Sequence, residues 1–193
     1  MKVSILFASL RKNSNTKLLL QPFVEKLESE NIEVDFISLK ELKIDSCSAC
    51  WLCQDNFLEP GCSKHDDMHI IYKSVLESDC IIFATPIYSW YCTPPLKAAM
   101  DRLVYGMNKY YGKKPGPCLW KGKQLGIVTT CGYEISQGAG VFEEGVKRYA
   151  EHSNLNYLGM LAVRDTDTKA VFSNEETISL ANQYANKVIE AIK

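Results

Sequence analysis

Residues 2–16 read KVSILFASLRKNSNT, and this stretch decides the fold. Residues 2–8 (KVSILFA) are almost continuously apolar, as expected of a strand covered on both faces. Residues 8–16 (ASLRKNSNT) are polar and lead into Leu19, Leu20, Phe23, Val24 and Leu27, which recur at helical spacing. Strand, polar turn and helix form the opening unit of an α/β chain. Pro22 falls inside the helical pattern, where a missing N–H and a ring clash should cost about 3 kcal/mol or bend the helix.

The alternation continues outward. Residues 33–38 (EVDFIS), 80–85 (CIIFAT), 124–130 (QLGIVTT) and 157–163 predict further strands. Asp66 or Asp67 should cap a helix carrying Met68, Ile71, Tyr72, Val75 and Leu76. Thr93 and Pro94 open another with Leu96, Ala99, Met100, Leu103 and Val104 on one stripe. Phe142, Val146, Tyr149 and Ala150 mark the next. Ser173 and Glu176 read as the capping box of a last helix with Ile178, Ala181, Ala185, Val188 and Ile192. Five strands alternating with five helices predict an α/β architecture: a parallel sheet with helices on both faces, one domain over residues 1–193. Two connections, at about 45–65 and 106–121, are long enough to be functional or interfacial.

Composition narrows the function classes. The chain has 193 residues, 46% hydrophobic and 23% charged, which is ordinary globular usage. Its 22 basic and 23 acidic side chains leave a net charge of −1, so no positive excess points to nucleic acid or an acidic membrane. No apolar run reaches about 18 residues, and the opening apolar run is too short for a signal peptide. The expectation is a soluble cytoplasmic protein with no nucleic-acid or membrane partner.

In a doubly wound sheet, ligands bind beyond the carboxyl ends of the strands where the strand order reverses. The loop after the first strand offers Ser9, Ser14 and Thr16 hydroxyls, Asn13 and Asn15 amides and the Arg11 cation, at the amino end of a helix. That chemistry suits a phosphate monoester, or the loop simply caps the helix. It is neither a GxxxxGK[ST] P-loop nor GxGxxG. After the third strand, residues 85–93 (TPIYSWYCT) put Tyr88, Trp90 and Tyr91 beside Pro86; a planar ligand could stack there, or the rings could cover the sheet end. After the fourth strand, Gly132 in residues 129–133 (TTCGY) allows close approach of a ligand to backbone.

Taken together, these loops resemble the flavodoxin-like NAD(P)H-dependent FMN reductase superfamily. The marks are S-x-R-x-N-S-N-T at residues 9–16, C-x2-C-x2-C running into Asp66-Asp67-Met68, and P-I-Y at residues 86–88 followed by P-L-K-A-A-M-D-R at residues 95–102. Within the superfamily the chain is most similar to the iron–sulfur flavoproteins. Ala8, Leu10 and Cys131 depart from the residues common at those places. The resemblance implies a flavodoxin-like three-layer sandwich with strand order 2-1-3-4-5. It implies FMN, with phosphate on Ser9, Arg11, Asn13, Ser14, Asn15 and Thr16, isoalloxazine against Pro86, Ile87, Tyr88, Ser89 and Trp90, and further contacts from Thr130, Cys131 and Gly132. It implies hydride from NAD(P)H, delivered onward to a quinone, nitro compound, free flavin or iron–sulfur centre. No side-chain acid or base is needed for hydride transfer, so no catalytic residue is assigned. A homodimer or homotetramer is also implied, and residues 106–121 with Tyr110, Tyr111 and Trp120 are the expected contact element.

Eight cysteines include Cys47, Cys50, Cys53 and Cys62 in one C-x2-C-x2-C-x8-C segment. Thiolates three residues apart can wrap one side of a [4Fe–4S] cube, with a fourth arriving from further along. Zinc in a four-thiolate site or an ordered metal-free loop with free thiols fits the same spacing. Between Arg102 and Tyr133 there is no acidic residue, while Arg102, Lys109, Lys113, Lys114, Lys121 and Lys123 form a local basic patch, suited to nucleotide phosphates or an acidic redox partner or merely solvated. His65, His69 and His152 show no nucleophilic grouping. Two other readings follow: an electron carrier working between protein partners such as a ferredoxin-like protein, and a zinc-stapled interaction protein.

Overall fold

The computed structural model describes residues 1–166 and 169–193. Five strands, β1 (Lys2–Phe7), β2 (Glu33–Ser38), β3 (Cys80–Pro86), β4 (Gln124–Cys131) and β5 (Asn156–Arg164), form one sheet in the order β2-β1-β3-β4-β5. Every pairing is parallel. This is the flavodoxin-like order. The helices are α1 (Asn15–Ser29), α2 (Met68–Glu77), α3 (Pro94–Met107), α4 (Ile135–Gly138), α5 (Gly140–His152) and α6 (Glu175–Ile192). The one-turn α4 was not expected from the sequence, being too short to carry a periodic signal.

Strand alternation splits the core into two layers. Val3, Ile5 and Phe7 of β1 and Ile82 and Ala84 of β3 face α1 and α6, while Leu6, Ile81 and Phe83 face α2, α3 and α5. Both faces are thereby covered, which is why these strands lack polar alternation. Each large side chain withdrawn from water, such as Phe23 of α1, contributes roughly 1.5–3 kcal/mol.

α1 spans Pro22, as the helical spacing predicted; Leu19, Leu20, Phe23 and Leu27 seat against the sheet and offset the lost backbone bond. One local expectation is corrected. α6 is capped by Asn174, whose side chain accepts from Thr177 N at 2.8 Å, whereas Ser173 donates to Ala170 O and takes no part in a capping box. Asn174 is as good a cap as Ser173, and spacing alone could not separate them.

The β4–β5 ladder shifts register at Leu125/Gly126. Tyr184 of α6 repairs the irregularity: its hydroxyl accepts from Ile127 N at 3.1 Å and donates to Gly159 O at 2.7 Å. A side chain at Gly126 would meet that ring, and Gly159 has φ +99°, so glycine is required at both. Tyr184→Phe is expected to lower stability by about 1–3 kcal/mol, because a buried N–H and a part-buried carbonyl lose their partner; a urea midpoint unchanged from wild type would show that the ladder closes without the hydroxyl.

Candidate functional site

The carboxyl ends of β1, β3 and β4 are tied edge to edge. Ala8 N donates to Ala84 O at 2.8 Å, and the buried Thr93 hydroxyl donates to Ala8 O at 2.7 Å, so the residue before α3 pins the end of β1. Ile87 N donates to Thr130 O at 2.8 Å, and Thr129 Oγ1 donates to Thr85 O at 2.6 Å. The buried Thr16 and Thr130 hydroxyls meet at 2.8 Å, joining the start of α1 to the end of β4. A cleft of about 270 Å³ opens above these ties.

Of the sequence-expected residues, the cleft is lined by Ser9, Arg11, Ser14, Asn15 and Thr16 from the first loop, by Pro86, Ile87 and Tyr88 from the second, and by Thr130, Cys131 and Gly132 from the third. Asn13 lies instead in a neighbouring groove beside α1. Ser89 and Trp90 sit at the tip of a tight turn, outside the lining. Ser14 accepts from Lys17 N at 3.3 Å and caps α1, whose first N–H groups have no partner within the helix. Arg11 is exposed and, among the described residues, makes no ion pair or side-chain hydrogen bond. Cation, hydroxyls and open helix amino end therefore share one side of the cleft, an arrangement that attracts an anion. Burial pushes the Cys131 thiol up, so it stays a neutral wall.

The opposite side is apolar. Tyr88 and Tyr91 exchange backbone bonds at 2.9 and 3.0 Å, closing a turn in which both central residues, Ser89 (φ 49°) and Trp90 (φ 63°), take left-handed backbone. Glycine or asparagine usually fills such positions, so the turn stores strain of about 1–2 kcal/mol per residue. The turn carries Trp90 beside Tyr133, rings stacked at 6.1 Å and 13°. Ser89→Gly is expected to preserve the stack and raise stability by about 1 kcal/mol, read as a higher urea midpoint with unchanged tryptophan fluorescence; a lower midpoint would contradict the strain.

Asp165 was not foreseen. It follows β5, lines the cleft, accepts from Asn15 Nδ2 at 2.9 Å and donates its own N–H to Cys131 O at 2.7 Å. Its position just past a strand's carboxyl end was the available signal.

The four clustered cysteines line one hollow with Tyr72, Arg102 and Tyr105. Ala49 (φ 51°) and Trp51 (φ 66°) curl the chain between successive thiols. Gln54 anchors the loop, donating to Tyr105 O at 2.6 Å and Asn108 O at 3.1 Å and accepting from Tyr111 N at 3.0 Å. Lys109 Nζ donates to Cys53 O at 2.8 Å. Arg102 is paired with Asp66, both side chains almost wholly buried. Burial would raise the Asp66 carboxyl, but Arg102 and the N–H groups of Asp45 and Met68 outweigh it and hold the group below its usual range. All eight cysteines are free thiols. Among the described residues no three His, Cys, Asp or Glu side chains gather closely enough to hold a single metal ion.

These contacts correct two expectations. Trp120 is fully buried and donates to Asn108 Oδ1 at 2.8 Å, so it is core and cannot face another subunit. The basic patch is smaller than the sequence suggested: Arg102 and Lys109 are buried, and Lys123 donates to Leu76 O and Ser78 O. Sequence counts charges without showing which ones the fold withdraws.

Residues 1–167 match the family model described as NADPH-dependent FMN reductase. An iron–sulfur flavoprotein of Archaeoglobus fulgidus is 29% identical over 196 residues, covering 100% of this chain and 81% of that protein. Among solved structures, RosB with a bound riboflavin-5'-phosphate derivative superposes with a TM-score of 0.78 at 15% identity, over 100% of this chain and 79% of that one. An NAD(P)H:quinone oxidoreductase from Methanothermobacter marburgensis gives 0.74 at 17% identity, over 98% and 97%. At such identities the structures attest the fold. No helix among the described residues is long and apolar enough to cross a membrane.

Proposed function

The chain belongs to the NADPH-dependent FMN reductase family of flavin-dependent oxidoreductases, and from that premise we propose that it holds FMN in the cleft above β1, β3 and β4, takes electrons from NAD(P)H, and passes them to a small acceptor or to an iron–sulfur centre on the cysteine loop. The observation that carries this reading is the two-sided cleft, with an open helix amino end and an exposed arginine opposite Pro86, Ile87 and Tyr88. A phosphate and a flat ring are the two chemistries those sides suit.

Bound FMN would supply the redox chemistry, accepting hydride from the nicotinamide. Ser9, Arg11, Ser14, Asn15 and Thr16 would hold the phosphate, and Asp165, through its hydrogen bond to Asn15, fixes that amide for the same task. Residues 86–88 and the Gly132 backbone would shape the ring's seat. Trp90 and Tyr133, stacked at the mouth, would shield one edge from water. Exposed Lys113, Lys114 and Lys121 are the basic residues left to attract the nicotinamide nucleotide or an acidic redox partner.

The cysteine hollow fits an iron–sulfur cluster by its donor set: four thiols on one cavity, with unpaired buried N–H donors of Arg102 in the same wall. It is small, about 20 Å³, but residues 48–52 on its outer side are solvent-exposed, so enlarging it displaces no core. Zinc would need thiols within about 3.8 Å of one another at tetrahedral geometry, whereas a cluster spreads four thiolates over four irons. The same loop would suit transfer to a ferredoxin-like partner, and the family resemblance supports a homodimer or homotetramer.

An anaerobic visible spectrum tests the reading. Freshly purified protein should show flavin bands that bleach on addition of NADH or NADPH. A colourless protein that leaves added FMN unaltered in absorbance and fluorescence overturns it.

A further inference from the structure

Arg102 sits on the inner face of α3 with a side chain 1% exposed. Its Nη1 is used twice, toward Asp66 Oδ2 and toward Asp45 O at 3.4 Å. Among the described residues, its Nε and Nη2 are buried without any hydrogen-bond partner. Leaving a buried charged donor unpaired forfeits its hydration with nothing in return, and native structures rarely tolerate it without reason. The same guanidinium lines the hollow onto which all four cysteines converge. Other groups around the hollow are already occupied: Tyr72 Oη donates to Arg102 O at 2.8 Å, and Lys109 Nζ to Cys53 O.

We infer that Arg102 is the positioning residue of the cysteine site, its Nε and Nη2 donating to the sulfur of the group the four cysteines hold, and that it thereby sets how readily that group accepts an electron. The inference rests on the reading of that group as an iron–sulfur cluster. Thiolate and sulfide sulfur are acceptors, and each electron added makes the cluster more negative. Donors fixed beside it favour the reduced form, as hydrogen bonds to cluster sulfurs do generally. Asp66 has a second part in this arrangement. It neutralises the formal charge of the arginine and orients the fork, so the site is tuned by N–H dipoles rather than by a free cation.

Arg102→Lys tests this, since an ammonium can keep the ion pair with Asp66 but, having all its donors on one nitrogen, places none where Nε and Nη2 stand. Wild type and R102K are reconstituted anaerobically with iron and sulfide, assayed for both, and titrated with dithionite while the reduced cluster is followed by electron paramagnetic resonance. The expected result is equal iron content and about a tenfold weaker reduction equilibrium in R102K, a potential about 59 mV more negative for one electron. Equal potentials at equal iron content overturn the role of Arg102 and leave the cluster standing. Failure of the wild type to retain iron and sulfide overturns the cluster reading and this inference with it. Should R102K not fold, wild type carrying 15N-arginine decides: a nitrogen hyperfine coupling to the reduced cluster supports the inference, and its absence overturns it.

Discussion

Asp66→Asn is expected to lower the free energy of unfolding by about 3–5 kcal/mol, because it leaves the Arg102 guanidinium buried with no countercharge. The pair is withdrawn from water, with side chains 1% and 3% exposed, so solvent screening does not discount it as it would a surface bridge. Asp66 does more than pair: it accepts from Asp45 N at 3.0 Å and Met68 N at 3.3 Å. It thus ties the end of the cysteine loop to the start of α2 and to α3 at once. The effect has a pH signature. The folded carboxyl is held below its usual range, so its contribution is complete above the unfolded value near 4 and is lost as pH falls through the lower folded value. Wild type should therefore lose stability on acidification below about pH 5, and D66N should show a shallower loss from a lower plateau. Urea midpoints at pH 7 and from pH 5 to 3 read both. A D66N midpoint within about 0.5 kcal/mol of wild type would mean that the pair is dispensable.

Arg11→Ala is expected to weaken FMN binding roughly ten- to 100-fold while leaving riboflavin binding unchanged. Riboflavin lacks the phosphate, so the comparison separates loss of an anion contact from general damage to the cleft. Arg11 has no other partner among the described residues, and a charge-assisted bond to phosphate is about twice as strong as a neutral one. The residue is exposed, so the difference should shrink as salt rises. Fluorescence titrations of both flavins at low and high salt measure it. Equal losses for FMN and riboflavin would move the phosphate away from Arg11.

Much of this architecture was legible in the sequence, for identifiable reasons. Strands covered on both faces cannot carry polar alternation, so residues 2–8 and 80–85 declared themselves, and the loops that follow them inherit their place at the sheet edge. Arg11, Ser14, Thr16 and Pro86 meet in one cleft because that topology brings them there. What escaped were properties set by three-dimensional packing. Arg102 and Lys109 looked like surface charge because nothing in a linear run of lysines tells which will be buried. Trp120 looked like an interface residue until Asn108 and the core claimed it. Asp165 escaped because it lies past β5, a strand whose following loop carries no distinctive motif. The left-handed turn at Ser89 and Trp90 has neither of the residues that usually announce one.

The central claim is that one cleft takes a phosphate at its α1 end and a flavin ring at its β3 end. A crystal structure grown with excess FMN tests it most directly. The account predicts phosphate density at the amino end of α1 beside Arg11, Ser14 and Asn15, with the ring against residues 86–88. FMN bound elsewhere, or that cleft filled by the protein's own side chains, would contradict it.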